Sequence, residues 1–306
     1  MQNSRSALRS VAVLAILMMI AVACGGGSEA DPAAAGGSEA PTAISAIPTT
    51  APIQFDDDSA PADGEDGAPL LTEDNFATPT PVVEAAASPY ENIVLHVNDD
   101  VSLVPTFDAP NGSPTTIYDI NTIDGRELEY PLYAETVFGN RLALRVEEYD
   151  STGNWARVAV PVRPNGTTAW VQTAFFTEDR HDYHIVIDIS DNLVNVYKGE
   201  ELLREQLAVT GRESRPTPLV RSYIDEKING ASLGPAYGSW VLSIAAFSEA
   251  LGTFGGGGMP KLALHGTNQP ELMGQYVSSG CIRVPDDVID FIAETVPVGA
   301  TVDIVA

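Results

Sequence analysis

Between Gly25 and Glu91 the chain carries 13 acidic residues, no basic residue and nine prolines, set among Ala, Gly, Ser and Thr. That run limits what can fold. Pieces such as Asp56-Asp57-Asp58 and Ala85-Ala86-Ala87 have neither helical nor strand periodicity. Such a composition cannot bury enough apolar surface to offset the entropy lost on ordering. Residues 25–91 therefore read as a disordered tether. As a random coil it spans on the order of 45 Å, more where charge and proline extend it. The whole chain has 16 basic against 42 acidic side chains, a net charge of −26, and half of that excess sits in the tether. So acidic a protein is a poor match for a phosphate backbone, which excludes nucleic acid as a main partner. The 44% hydrophobic content is enough for real cores outside the tether.

Ahead of the tether, Arg5 and Arg9 precede an apolar run from Val11 to Ala23. The run is shorter than the roughly 20 residues a bilayer span needs. A basic start, a short apolar stretch and small residues at its end describe an export signal over residues 1–24. Its end, Ala21-Val22-Ala23-Cys24-Gly25-Gly26, resembles the lipobox of bacterial lipoproteins. The resemblance implies that Cys24 receives a thioether-linked diacylglycerol and anchors the chain to a membrane, two or more acyl chains being needed for a stable hold. The alternative is an ordinary signal cleaved before an inert cysteine. With only two cysteines and four histidines, a disulfide-rich scaffold and a zinc ribbon are excluded, and no metal or organic cofactor is expected.

Ordered patterning begins near Ile93. Ile93–Val97, Leu142–Val146, Trp155–Val160 and Ala169–Val171 read as strands. Asn111-Gly112, Asp124-Gly125, Gly139-Asn140, Thr152-Gly153-Asn154 and Pro164-Asn165-Gly166 are turn signals between them. Short strands at this spacing predict a small β-barrel over residues 92–180. The Asn154–Val158 and Thr168–Val171 pieces resemble bacterial Src-homology-type barrels, which often bind wall peptides or glycans. Trp155 and Trp170 serve equally well as core residues.

Residues 181–306 hold the chemistry. Ile185, Ile187 and Ile189 alternate, and strands follow at Leu193–Val196, Leu202-Leu203 and Leu207–Val209. Gly255–Gly258 reads as a flexible loop before a buried strand, Leu262–Leu264, which ends at His265-Gly266. Asp286–Ile292 has helical spacing with an acidic start, and Val302–Val305 closes as a strand. With Cys24 acylated, Cys281 is the one remaining thiol. In an exported protein such a thiol is a liability unless it works. Gly280 lets backbone approach a substrate closely. A histidine near a thiol lowers its pKa and shuttles its proton. Backbone N–H groups of Gly280 and Cys281 can supply an oxyanion hole. Arg283 can hold a carboxylate bidentately.

His265-Gly266-Thr267-Asn268 followed by Ser278-Ser279-Gly280-Cys281-Ile282-Arg283 resembles the L,D-transpeptidase (YkuD-type) catalytic domains. Val209-Thr210-Gly211, Thr217-Pro218 and Ile187–Ser190 add weaker agreement. The resemblance covers about residues 183–305. It implies a β-sandwich-like catalytic domain over residues 181–306, so that the whole chain is mainly β. It implies a cysteine acyltransferase acting on peptidoglycan stem peptides; with the lipobox at Cys24, the expectation is a monomeric, membrane-anchored lipoprotein facing the cell wall. Carried over by position, Cys281 is the nucleophile and His265 the general base, oriented through a backbone carbonyl near Gly266. Ser278, Ser279 and Gly280 form the site loop and oxyanion hole, and Arg283 binds substrate carboxylate or braces the loop. Ser279 stands where many members have His. Two other readings stay open: an L,D-carboxypeptidase or peptidase using the same pair with water as acceptor, and a non-catalytic wall-binding lipoprotein. The order His then Cys disfavours papain-like and NlpC-type hydrolases, and the Thr-Leu-x-Thr strand of sortases is missing.

Overall fold

In the computed structural model residues 88–121, 123–253 and 258–306 are described. The export signal, Cys24, nearly all of the tether and Gly255–Gly257 of the glycine loop lie outside the described residues. In chain order the strands are β1 (Asn92–Val97), β2 (Leu103–Val104), β3 (Tyr118–Asn121), β4 (Arg126–Glu129), β5 (Leu132–Tyr133), β6 (Ala143–Tyr149), β7 (Trp155–Ala159), β8 (Thr168–Gln172) and β9 (Phe176–His181). They continue with β10 (Tyr183–Asp188), β11 (Leu193–Lys198), β12 (Glu201–Leu207), β13 (Thr210–Gly211), β14 (Val220–Asn229), β15 (Trp240–Phe247), β16 (Lys261–His265), β17 (Tyr276–Ser278) and β18 (Ile282–Arg283). Helix α1 (Asp286–Thr295) and strand β19 (Thr301–Val305) complete the chain. The expected mainly β fold is what the described residues form.

The first half is a five-stranded antiparallel sheet in the order β8-β7-β6-β1-β9, flanked by the short pairs β2–β5 and β3–β4. Alternation along its strands sends Leu95, Val97, Leu144, Val146, Ala156, Val158, Ala169 and Val171 into one apolar cluster. Trp155 is buried with an edge of Phe107 against it, centroids 4.9 Å apart, while Trp170 is half-buried.

The second half is an eight-stranded sheet in the order β12-β11-β10-β19-β14-β15-β16-β18. β10–β19 and β16–β18 are its parallel pairs. Its core gathers Ile185, Ile187, Val194, Val196, Ile224, Leu242, Ile244, Leu262 and Leu264 from the strands. Val288, Ile289, Ile292 and Ala293 of α1 join them. Those four recur on one face of α1, and Asp286 and Asp287 in its first turn suit the positive end of its dipole.

The two longest strands of this sheet, β14 and β15, carry no plain alternating pattern. From Ser222 to Glu226 every residue of β14 is buried. One of its faces lies in the sheet's core and the other meets the first half of the molecule. Tyr223 Oη donates to Ala159 O at 3.1 Å, and Asn140 Nδ2 donates to Glu226 Oε1 at 2.7 Å, with Thr136 Oγ1 also on that oxygen. Asp225 pairs with Lys261. The same interface carries Asn165, which exchanges two hydrogen bonds with the Phe247 backbone at 2.9 and 3.0 Å. Arg163, paired with Asp119 at 2.9 Å, reaches Gly252 O at 3.0 Å. At the junction of the halves His184 stacks between Tyr90 and Tyr197, at 4.8 and 4.9 Å. Among the described residues no helix is long and apolar enough to cross a membrane.

Candidate active site

Strands β16 and β18 lie side by side at one edge of the large sheet, in a register that sets Leu264 opposite Ile282 and His265 opposite Arg283. Cys281 enters β18 from the preceding turn and packs with Ile228, Val241 and Ala263. Side chains two apart on a strand share a face. Ala263, which touches the Cys281 cluster, therefore shares its face with His265. Nucleophile and base candidates thus lie on one face of neighbouring strands, in a diagonal relation. Tyr237 bridges them: it packs against the Cys281 cluster, and its ring centroid is 5.2 Å from that of His265.

His265 is wholly buried. Its Nδ1 donates to Gly266 O at 2.6 Å, and its Nε2 has no hydrogen-bond partner within bonding geometry. The carbonyl fixes the tautomer, leaving Nε2 as the acceptor. Burial pushes the imidazole pKa down to about 3; the positive charge of Arg283 acts in the same direction, while the Gly266 and Tyr237 carbonyls oppose it. The ring is accordingly neutral at physiological pH, the form that can take a proton. Gly266 must be glycine for steric reasons, since a Cβ would stand 2.2 Å from Asp286 Oδ1 and 2.9 Å from Gly238 Cα. The loop after His265 is held in turn by Asp286, which accepts from Thr267 N at 3.1 Å.

The turn carrying Cys281 is shaped by its own serine. Ser278 Oγ accepts from Gly280 N at 3.1 Å and donates to Cys281 O at 2.7 Å. The Gly280 N–H, assigned above to the oxyanion hole, is therefore spent inside the loop, and Ser278 is a brace. Gly280 has φ +122°, a conformation that favours glycine. Thr217 Oγ1 accepts from Gly211 N at 2.9 Å and donates to Gly280 O at 2.8 Å, which ties the β13 loop to the cysteine turn. Cys281 has no exposed surface, and its sulfur is engaged in a disulfide. The expectation that Cys281 is a lone thiol is thus not met here. Nucleophilic attack by this sulfur would require the reduced protein.

Ser279 occupies an electropositive spot that the motif does not announce. Its Oγ accepts from Arg212 Nη2 at 2.9 Å and from Arg215 Nη1 at 3.2 Å. Arg283 is only 5% exposed, and burial lowers its pKa, with Arg212 close enough to add repulsion. Its backbone pairs with Val209 in both directions at 2.9 Å. Its side chain lies on the face that His265 and Cys281 share, opposite His265 in register. Arg212, Arg215, Thr217 and Tyr237 went unassigned in the sequence. The available signal was two arginines within four residues of a chain otherwise rich in acid. Among the described residues no group of three or more His, Cys, Asp or Glu could hold a metal ion.

Residues 182–304 match the family model of the YkuD L,D-transpeptidase catalytic domain. The matched region holds both His265 and Cys281 and runs from the start of β10 almost to the end of β19. A stretch of 39 residues, 13% of this chain, is 46% identical to the Bacillus subtilis protein named "Putative L,D-transpeptidase YqjB", of which it spans 22%. An Enterococcus faecium L,D-transpeptidase structure aligns with 40% of this chain and 49% of its own, at 18% identity and a TM-score of 0.32. The L,D-transpeptidase from Mycobacterium smegmatis aligns with 53% of this chain and 82% of its own, at 18% identity and a TM-score of 0.34. Similarity at that level adds nothing to the family match. The chain therefore spans about half the first of these structures and a smaller part of the curated relative.

Proposed function

We propose that this chain is an exported, lipid-anchored L,D-transpeptidase that works on peptidoglycan stem peptides. The observation that carries the reading is the placement of a buried His265, tautomer fixed by Gly266, on the same sheet face as Cys281. The match of residues 182–304 to the YkuD domain supports it. In the reduced protein Cys281 passes its proton to Nε2 of His265 as Sγ attacks the carbonyl carbon of the stem's third residue. The tetrahedral adduct collapses to a thioester, and the departing D-Ala amine takes the proton from Nε2. An amine of a neighbouring stem then attacks the thioester and gives a proton to Nε2. The new amide forms as the sulfur leaves and is reprotonated. The domain plan that goes with this is an export signal over residues 1–24, a tether over 25–91, a β domain over 92–180 that positions the catalyst, and the catalytic domain over 181–306. Acylation of Cys24 would complete the plan by holding the reduced protein to a membrane.

The test is mass spectrometry of the reduced protein incubated with purified disaccharide-tetrapeptide. Release of D-Ala with dimeric stems is the expected result, abolished in Cys281→Ala and in His265→Gln. Release of D-Ala with monomeric tripeptide alone would transfer the assignment to a carboxypeptidase. Full retention of activity in Cys281→Ala would end both readings.

A further inference from the structure

The geometry points to a carboxylate subsite formed by Arg212, Arg215 and the Ser279 hydroxyl, beside the cysteine turn; the inference rests on the acyl-transfer reading above. Both guanidinium groups donate to one oxygen, Ser279 Oγ, at 2.9 and 3.2 Å. Two donors fill the two lone pairs of that hydroxyl, so its own proton is directed away from them. Three donors are thereby gathered at one point. Two cations brought to one neutral oxygen repel each other, and a bound anion removes that repulsion.

Among the described residues the surroundings supply no such anion. The ion pairs of the second half are Arg204–Asp287, Arg221–Asp303 and Lys261–Asp225. Among the described ion pairs none includes Arg212, Arg215 or Glu213, the one acid between them. Both arginines are solvent-exposed, whereas Arg283 is buried. An incoming carboxylate can therefore reach the Arg212–Arg215 pair and not Arg283.

The pair is also held rigidly against the nucleophile's turn. Arg212 N donates to Ser278 O at 3.1 Å and Arg215 N to Arg212 O at 2.8 Å. Thr217 joins the far end of the loop to Gly280. Ser279 precedes Cys281 by two residues, so their Cα atoms are at most about 7 Å apart. A carboxylate at Ser279 is thus close to a carbonyl under attack by Cys281. Two groups of a tetrapeptide donor meet that requirement: the C-terminal carboxylate of the departing residue and a side-chain carboxylate on the third residue.

The test uses full-length protein carrying Cys281→Ala, which binds without turnover, and calorimetric titration with disaccharide-tetrapeptide. Adding Arg212→Gln and Arg215→Gln should raise Kd at least tenfold and remove most of its salt dependence. Two further donors, one amidated at the C-terminus and one at the third residue's side chain, identify the carboxylate. At least one of them should bind the parent ten times more weakly than the free acid, and the double arginine variant should no longer distinguish that amide from the acid. The comparison of donors on the parent needs no arginine variant and stands even if the double replacement fails to fold. Undetectable binding to the parent, unchanged affinity after both replacements, or equal weakening for all three donors would each overturn the subsite. Arginine-dependent binding without D-Ala release by the reduced wild-type protein would leave the subsite in place and remove the transpeptidase reading instead.

Discussion

The depressed pKa of His265 links the candidate active site to stability, and the size of the link can be worked out. Unfolded, the ring titrates near its ordinary value of 6.5; folded, burial holds it at about 3. The unfolded chain therefore binds the proton more readily at every pH between those values. Above 6.5 both states are neutral at this site and nothing is lost. As pH falls below 6.5 the unfolded state gains a proton the native state refuses, and stability declines until pH reaches about 3. With about 1.36 kcal/mol per pKa unit, the loss from this one ring is about 2 kcal/mol at pH 5 and about 3 kcal/mol at pH 4. The assay is urea unfolding of wild type and His265→Gln at pH 7.5, 6.5, 5.5, 5 and 4, in one redox state throughout. Other groups that titrate here act in both proteins and cancel in the difference. They include His181, whose pKa burial lowers, and Glu226, whose pKa burial raises. The wild type should lose about 2 kcal/mol more than the variant between pH 7.5 and pH 5. Parallel curves, within about 0.5 kcal/mol over the whole range, would refute the claim that the ring is held neutral by burial.

Gly280→Ala places a Cβ on a backbone at φ +122°; a cost of roughly 1–3 kcal/mol is expected, together with loss of Cys281 acylation, read by denaturation and by intact mass after exposure to tetrapeptide. Gly299→Ala, at φ +91°, sets a Cβ 2.1 Å from Val94 Cγ2 across the join between the halves. It should destabilise by roughly 1–3 kcal/mol from overpacking alone, visible as a lower midpoint in urea. Asp119→Ala leaves the nearly buried Arg163 guanidinium without its carboxylate; the loss should be about 3–5 kcal/mol, and a Tm unchanged from wild type would count against an essential pair.

Much of this architecture was legible because it rests on local signals. The turn signals Asn111-Gly112, Asp124-Gly125, Gly139-Asn140 and Thr152-Gly153-Asn154 coincide with positive φ at Asn111, Gly125, Gly139 and Gly153. Alternating Ile185 and Ile187 do face the core, and the acidic start of Asp286–Ile292 does open a helix. His265 and Cys281 were legible through motif spacing. β14 and β15 were not, because a central strand buried on both faces loses its alternation and can carry Asp225 and Glu226 if partners arrive from elsewhere. Those partners, Lys261 and Asn140, lie 36 and 86 residues away. The meeting of Arg212 and Arg215 with Ser279 is illegible for the same reason: 67 and 64 residues separate the donors from the acceptor. The use of Gly280 N–H by Ser278 is local, but it depends on a turn geometry that residue types alone do not dictate.

The hydrogen bonds that cross from the first half to the second have a consequence for where a folding unit of this chain can be cut. A boundary drawn at residue 182, where the family match begins, cuts the partners of Glu226, Tyr223 and the Phe247 backbone away from them. Freed of Thr136 and Asn140, the face of β14 becomes a row of stranded polar groups over an apolar floor. The segment that matches the family model is therefore smaller than the segment that packs as one unit. The join fixes the first sheet at a set offset from β14 and β15 and so, through the large sheet, from the strand that follows Cys281, as by a ruler.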